Sequence, residues 1–221
     1  MSGIETSRYS ILEPGNLLII QERERALMRL LRQIGIDSLE GRRAFEAGCA
    51  GGYNLRMLVQ WGMNPADVVG QDLDASAAAA ITARSPGIQV HTGSCEQVAE
   101  PDQSFDLGLA FTLFSSVPDE DVAHGIAREL FRVVRPGGLI LVYDMRRRSP
   151  RNPNVHPIGT EDLRRWFPRC PLRAQSITLA PPVARLVGRH APWAYGPLAA
   201  VPLARTHMLW TLRRPALPPS I

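Results

Sequence analysis

The stretch R-A-F-E-A-G-C-A-G-G, residues 43–52, contains the strongest local indication of the fold. Its first half has the apolar residues of a short buried strand, and its second half is a turn made of small residues. A helical pattern follows at once from Tyr53. A glycine-rich turn between a strand and a helix lets the backbone approach a ligand closely, and the helix N-terminus favours anionic groups. The stretch therefore predicts a ligand-binding turn after the first strand.

Strand-length apolar runs and helical patterns alternate along the chain after this turn. The further strands are predicted at Val68–Gln71, Ile88–His91, Phe105–Ala110 and Leu139–Tyr143. The helices between them are predicted at Tyr53–Trp61, at Ala75–Arg84 with Asp74 as N-cap, and from about Asp119 to Val134, where Pro136-Gly137-Gly138 follows. This alternation builds a mainly parallel sheet covered on both faces. We predict an α/β fold of the Rossmann-like, doubly wound class.

An acidic residue follows the second predicted strand at the distance typical of nucleoside-binding folds. Asp72 lies 24 residues after Gly48. A carboxylate about 20 residues downstream of such a turn is placed to accept hydrogen bonds from a ribose diol. The turn alone is compatible with a nucleotide, a dinucleotide or no ligand. Together, the turn and the carboxylate indicate an adenosine-like ligand at the ends of the first two strands.

Four segments, in this order and spacing, resemble the class I S-adenosylmethionine-dependent methyltransferases. They are E-A-G-C-A-G-G (46–52), V-V-G-Q-D-L-D (68–74), S-F-D-L-G-L-A (104–110) and R-V-V-R-P-G-G-L-I-L-V (132–142). The resemblance implies a seven-stranded, mostly parallel sheet whose last strand is antiparallel. Ser176–Leu179 and Thr206–Leu212 are the candidates for the sixth and seventh strands. It also implies S-adenosyl-L-methionine as cofactor and S-adenosyl-L-homocysteine as its product.

The resemblance implies cofactor-binding roles at the first two strand ends. Glu46, Gly48 and Gly52 are expected to border the methionine and ribose moieties. Asp72 is expected to hold the ribose hydroxyls, and Leu73 to pack on the adenine.

Two positions depart from the family pattern. Ser94 stands where the family often has an aspartate that receives the adenine amino group, and a hydroxyl accepts that hydrogen bond less strongly than a carboxylate. Ala50 stands in place of the usual middle glycine, which is tolerable only if its φ angle stays negative. Cys49, Cys95 and Phe111 complete the predicted cofactor-binding set.

Candidate catalytic residues lie at and after the end of the fifth strand, where family members often place acceptor-binding residues. A hydroxyl acceptor must lose its proton, and histidine is the most common helper at neutral pH. His156 is the candidate base or acceptor contact. Tyr143 and Asp144 are candidate acceptor contacts at the end of the strand. No metal is expected.

The acceptor class is predicted from the segment after the fourth strand. Enzymes that methylate nucleobase amines often have N/D-P-P-Y/F there, whereas this chain has A-F-T-L at 110–113. The segments Q-E-R-E-R-A-L (21–27) and R-N-P-N (151–154) are similar to a narrower bacterial group associated with polysaccharide and natural-product gene clusters. We therefore expect a small-molecule or glycan hydroxyl as acceptor, and we expect no nucleic-acid substrate.

Two alternatives stay open at this point. Arg146-Arg147-Arg148 with Arg151 is the only dense basic cluster, and with a net charge of +4 it favours an enzyme that acts on RNA or protein. The replacements at Ala50 and Ser94 are compatible with a non-catalytic binding module that keeps the fold.

The remaining sequence predicts domain organisation and setting. Residues 1–40, which include an amphipathic helix at Leu17–Ile34, are expected to cover the cofactor cleft of a core domain at 41–221. A proline-rich insertion around 180–203 is expected to form either an apolar acceptor pocket or a homodimer contact. Three cysteines without a C-x-x-C pair, no signal-peptide pattern and no long apolar run predict a cytoplasmic protein without a membrane span.

Overall fold

The computed structural model of the chain describes residues 10–148 and 155–216. Seven strands form one sheet in the order β3-β2-β1-β4-β5-β7-β6. The strands are β1 (Ala44–Ala47), β2 (Val68–Asp72), β3 (Gln89–Thr92), β4 (Phe105–Phe111), β5 (Val134–Met145), β6 (Leu172–Leu179) and β7 (Arg205–Arg213). The sheet is mostly parallel and its last strands are antiparallel, which confirms the predicted α/β, Rossmann-like fold.

Helices connect most of the strands. They are α1 (Pro14–Gln33), α2 (Tyr53–Gln60), α3 (Ala75–Arg84), α4 (Glu120–Val133), α5 (Thr160–Trp166), α6 (Pro181–His190) and α7 (Tyr195–Ala199). Asp74 caps α3 as predicted, because its carboxylate accepts hydrogen bonds from the backbone N–H groups of Ser76 and Ala77. Helix α5 was not anticipated from the sequence. Among the described residues, no helix combines the length and the apolar character needed to cross a membrane.

The chain divides into two compact units. The core unit comprises Ser38–Ala174 and Leu209–Ile221, and the terminal unit comprises Met1–Asp37 and Gln175–Met208. The division runs through strands β6 and β7 themselves. That residues 1–40 cover the cofactor cleft stays a prediction.

Strand β1 lies in the middle of the parallel part of the sheet, and all four of its residues are buried. Ala47, its last residue, pairs in register with Gln71 of β2 and Ala110 of β4. Parallel strands have their carboxyl ends at the same edge of the sheet. The turn after β1, the end of β2 and the loop after β4 therefore meet at one edge.

The segment Pro136-Gly137-Gly138 differs from the prediction. We expected it to end the preceding helix and to precede the fifth strand, but α4 ends at Val133 and β5 begins at Val134. Gly137 has a φ of +79°, and the pairing of β5 with β4 shifts register between Phe105 and Leu107. The N–H of Gly137 donates to the carbonyl of Arg214, and the N–H of Arg214 donates to that of Gly138. The segment is therefore an irregularity held within the sheet.

In the terminal unit, helices α1 and α6 touch through their backbones. A Cβ atom added to Gly188 would lie 2.5 Å from the backbone nitrogen of Gly15, and one added to Gly15 would lie 2.4 Å from the carbonyl oxygen of Ala184. The carboxylate of Glu22 on α1 accepts hydrogen bonds from the N–H of Thr178 (2.9 Å) and the hydroxyl of Tyr195 (2.6 Å). Small residues and one carboxylate thus hold this unit together.

We expect Gly188→Ala to lower the free energy of unfolding by about 1–3 kcal/mol, because the added methyl group meets backbone that cannot move aside. Gly196→Ala is the matched control, since nothing lies within 4 Å of its added Cβ. Its stability should stay unchanged or rise by up to about 1 kcal/mol, owing to the higher helix propensity of alanine. Urea unfolding followed by circular dichroism measures both. An undiminished stability of Gly188→Ala would contradict the backbone contact.

Candidate functional site

The turn after β1 curves because several of its residues have left-handed backbone angles. The φ angles of Gly48, Ala50 and Gly52 are +68°, +42° and +69°. A Cβ at Gly48 would lie 2.7 Å from Cδ1 of Leu113, and one at Gly52 would lie 2.8 Å from Cγ1 of Ile81. Both positions therefore favour glycine for its backbone conformation, and a larger residue would also have to displace the side chain of Leu113 or Ile81.

The expectation that φ of Ala50 stays negative is wrong. Its N–H donates a 2.7 Å hydrogen bond to Oδ2 of Asp72, and this bond holds the alanine in the left-handed region. That conformation costs an L-residue about 1–2 kcal/mol. A hydrogen bond to an ionised carboxylate is roughly twice as strong as a neutral one, which offsets this cost. The turn is thus fastened to the end of β2.

Asp72 keeps acceptor capacity for a ligand although it already holds the backbone. Its Oδ1 accepts from the N–H of Asp74 at 3.0 Å, and its Oδ2 accepts from Ala50. Each carboxylate oxygen can accept two hydrogen bonds, so a diol can still bind there. The neighbouring side chain of Leu73 is 76% exposed, which gives the same edge an apolar surface that can pack on a flat ring.

A second carboxylate, that of Glu46, adds to the negative electrostatic potential at this edge of the sheet. Glu46 is 1% exposed, and its Oε1 accepts a 2.5 Å hydrogen bond from Nδ2 of Asn54 in the first turn of α2. Burial first, and then the charges of Glu46 and Asp72, raise the pKa of Cys49 to about 12. The thiol therefore stays protonated at neutral pH, and the site disfavours further negative charge. It favours a cationic ligand for the same reason.

Gln71 fixes the loop after β3 and was not identified from the sequence. Its side chain is buried, and Nε2 donates to the carbonyls of Ser94 (2.7 Å) and Gln97 (2.9 Å). The hydroxyl of Ser94 donates to Oε2 of Glu96 at 3.0 Å. Burial raises the pKa of Cys95 to about 11, so this thiol too is neutral. A polar residue inside the buried V-V-G-Q-D strand was the available signal for Gln71.

The loop after β4 contacts the glycine turn. Leu113 lies against Gly48, and the N–H of Thr112 donates to the carbonyl of Tyr143 at 2.6 Å. Thr112 has a φ of +54°, so the chain bends sharply at this point. The rings of Phe111 and Tyr143 pack with centroids 5.8 Å apart, and both residues are buried.

The carboxylate of Asp144 binds the backbone of this loop. The residue has no exposed surface, and its Oδ2 accepts from the N–H of Ser115 at 3.0 Å. Its Oδ1 accepts from the N–H of Met145 at 2.8 Å. Burial raises the pKa of Asp144, an effect that outweighs the hydrogen bonds from Ser115 and Met145. In this geometry the carboxylate faces the backbone of the loop and not the solvent.

His156 joins the same assembly through its backbone. Its N–H donates to the carbonyl of Ser115 at 2.8 Å, while its side chain is exposed. Ser115 thus links Asp144 to His156, and the loop 112–116 links both to the glycine turn. Of the predicted basic cluster, Arg147 and Arg148 are exposed, while Arg151 and the segment 152–154 lie outside the described residues.

Comparison with known proteins identifies the segment around this edge. Residues 44–138 match the family model described as a methyltransferase domain. A probable S-adenosylmethionine-dependent methyltransferase of Mycolicibacterium smegmatis is 32% identical over 126 residues, which are 56% of this chain and 47% of that protein. A ubiquinone biosynthesis O-methyltransferase of Paracidovorax citrulli is 28% identical over 118 residues, 52% of this chain and 48% of that protein. The chain spans about half the length of the curated relatives it matches.

Solved structures share the fold over more of the chain. The crystal structure of a protein described as a sarcosine dimethylglycine methyltransferase from Galdieria sulphuraria superposes with a TM-score of 0.64. It covers 87% of this chain and 85% of its own, at 17% sequence identity. This likeness concerns the fold alone.

Replacing Asp144 with asparagine tests the buried carboxylate. Because the fold holds the pKa of Asp144 above its ordinary value, the wild type loses stability as pH rises from about 4 through the folded pKa. Asp144→Asn has no proton to release there. We expect its free energy of unfolding, relative to the wild type, to rise between about pH 4 and pH 7. Urea unfolding at a series of pH values measures this difference, and a pH-independent difference would contradict the raised pKa.

Proposed function

We propose that the chain is a class I S-adenosylmethionine-dependent methyltransferase and that it transfers the methyl group of this cofactor to a hydroxyl group of a small molecule or glycan. The observation that supports this proposal most is the glycine turn fastened to Asp72 by the N–H of Ala50. This arrangement joins a side-chain-poor backbone, a diol acceptor and an exposed leucine at one edge. The negative charges of Glu46 and Asp72 favour a cationic ligand at this edge.

The residues present fit the cofactor part by part. Asp72 retains acceptor capacity for ribose hydroxyls, and the exposed side chain of Leu73 offers a surface for the adenine. Glycine at positions 48 and 52 keeps the turn open where the backbone must approach the ligand. When bound, S-adenosylmethionine would supply an electrophilic methyl group on a positively charged sulfur, a charge that the carboxylates of Glu46 and Asp72 would favour. Positioning of the acceptor accounts for most of the expected rate enhancement.

We assign His156 as the base for the acceptor hydroxyl. The imidazole of His156 would accept the proton that the acceptor hydroxyl loses when it is methylated. The side chain is exposed, and its backbone is held by Ser115, which in turn is held by Asp144. Asp144 therefore acts as a positioning residue, and Tyr143 supports the loop through Thr112.

Two observations support the proposal that the acceptor is a hydroxyl group. The segment A-F-T-L at 110–113 lacks the prolyl-aromatic motif of enzymes that methylate nucleobase amines. One relative is named as an O-methyltransferase of ubiquinone biosynthesis. The test is a screen of sugar, phenolic and carboxylate acceptors, with RNA and protein substrates in parallel, read by mass spectrometry. Methylation only of RNA or protein, with binding that weakens steeply as salt increases, would refute the hydroxyl assignment.

The cofactor site is tested by Asp72→Ala. We expect calorimetry to show that the affinity for S-adenosylmethionine falls by about 1.5–3 kcal/mol, the range typical of a hydrogen bond to a charged group. Asp74→Ala is the matched control, because this neighbouring carboxylate caps α3. Its loss should reduce stability by about 1 kcal/mol and leave the affinity unchanged. Unchanged affinity in a folded Asp72→Ala variant would refute the assignment of Asp72 to the ribose. If the wild type does not bind S-adenosylmethionine, the proposed methyltransferase function is refuted.

The acceptor side is tested by His156→Ala. With an acceptor found in the screen, we expect turnover to fall about 10²–10⁴-fold while the cofactor affinity stays unchanged. His124→Ala, which alters an exposed histidine on α4, is the control and should keep full turnover. Equal turnover of the two variants would remove His156 as the base.

A further inference from the structure

Residues 183–203 of the terminal unit expose an unusual set of large apolar side chains. Trp193 is 81% exposed, Leu203 77% and Leu186 63%. With the less exposed members, the set forms what we call the 183–203 surface: Val183, Leu186, Trp193, Leu198, Val201 and Leu203. Isolated exposed apolar residues are normal in proteins, whereas six within 21 residues make this segment a candidate interaction site.

These side chains are exposed from a segment that already has a packed interior. Ala184, Tyr195 and Ala199 are buried in one cluster with Leu179, and Val187 packs against it. Helices α6 and α7 therefore use their other residues for folding. The exposed apolar side chains are not needed for that cluster, and a rigid backbone presents them to the surroundings.

The terminal unit that contains this surface has a net positive charge. The sequence contains no aspartate or glutamate after Asp162, whereas arginines continue to Arg214. Within residues 10–37 and 175–208 there are seven arginines and four carboxylates. One of these carboxylates, Glu13, is paired with Arg189, and Glu22 binds Thr178 and Tyr195. The 183–203 surface thus combines apolar side chains with an excess of positive charge.

We propose that the 183–203 surface docks the protein on a membrane that contains anionic lipids. Tryptophan and leucine side chains insert at the boundary between headgroups and acyl chains, and arginines attract anionic headgroups. Binding at the interface requires no spanning helix, and no described helix could span. The proposal is independent of the methyl-transfer chemistry.

A second copy of the chain fits this surface less well. A symmetric dimer interface places the same patch of both copies face to face. The described residues of the terminal unit contain seven arginines and four carboxylates, so two copies would face each other with net charges of the same sign. Like charges weaken association, whereas an anionic lipid surface complements a positive net charge.

The experiment uses the full chain and large unilamellar vesicles of phosphatidylcholine, alone or mixed with phosphatidylglycerol. We expect co-sedimentation with the mixed vesicles, little with phosphatidylcholine alone, and release as salt concentration rises. Tryptophan emission should shift to shorter wavelength on binding, because Trp193 leaves water. Trp193→Phe should abolish most of this shift and retain co-sedimentation.

The double variant Leu186→Ser with Leu203→Ser should bind mixed vesicles about tenfold more weakly or worse, since two apolar side chains no longer insert. Met28→Ser is the matched control, because Met28 is an exposed apolar residue of the same unit outside the 183–203 surface. It should bind like the wild type, and thermal unfolding should show that both variants are folded.

Three results would overturn the proposal. The first is failure of the folded wild type to co-sediment with mixed vesicles at low salt. The second is equal loss of binding in Met28→Ser and the double variant. The third is a wild-type dimer, measured by light scattering, that the double variant dissociates, since the occupant of the surface would then be a second copy.

Discussion

The 2.7 Å hydrogen bond between the N–H of Ala50 and the carboxylate of Asp72 determines the form of the candidate cofactor site. It joins the first strand's turn to the second strand's end, and it keeps a residue with a Cβ atom in a backbone conformation that glycine usually occupies. Because the same carboxylate retains acceptor capacity for a diol, the group that shapes the turn is also the group proposed to bind the ribose. Shape and recognition therefore depend on one side chain.

The electrostatics of the edge follow from this arrangement. Glu46 is almost completely buried beside Asp72, and a carboxylate is costly to bury without compensation. The amide of Asn54 supplies part of that compensation. Burial first, and then the charges of Glu46 and Asp72, raise the pKa of Cys49, so a ligand that brings positive charge suits these surroundings. The positively charged sulfur of the proposed cofactor brings such a charge.

The sequence predicted those structural features that are determined by residues close together in the chain. The strand–turn–helix unit, the N-cap at Asp74 and the succession of strands and helices along the chain follow from residues a few positions apart. The φ angle of Ala50 could not be predicted, because it depends on Asp72, which lies 22 positions further along the chain. Pro136-Gly137-Gly138 is held in the sheet by Arg214, a partner still further away along the chain. Gln71 and Ser115 were missed for the same reason, since their importance lies in tertiary hydrogen bonds.

The two halves of the site differ in how closely their parts are tied to the fold. The cofactor half lies within residues 44–138, where the methyltransferase family model matches, and its groups are fixed by β1, β2 and the glycine turn. The proposed acceptor half includes His156, which lies beyond that region and is connected to it through Ser115. Because methyl transfer requires alignment of acceptor and methyl group, the loop 112–116 must serve both halves. Changes in the residues that the loop supports can then alter the acceptor without disturbing the cofactor.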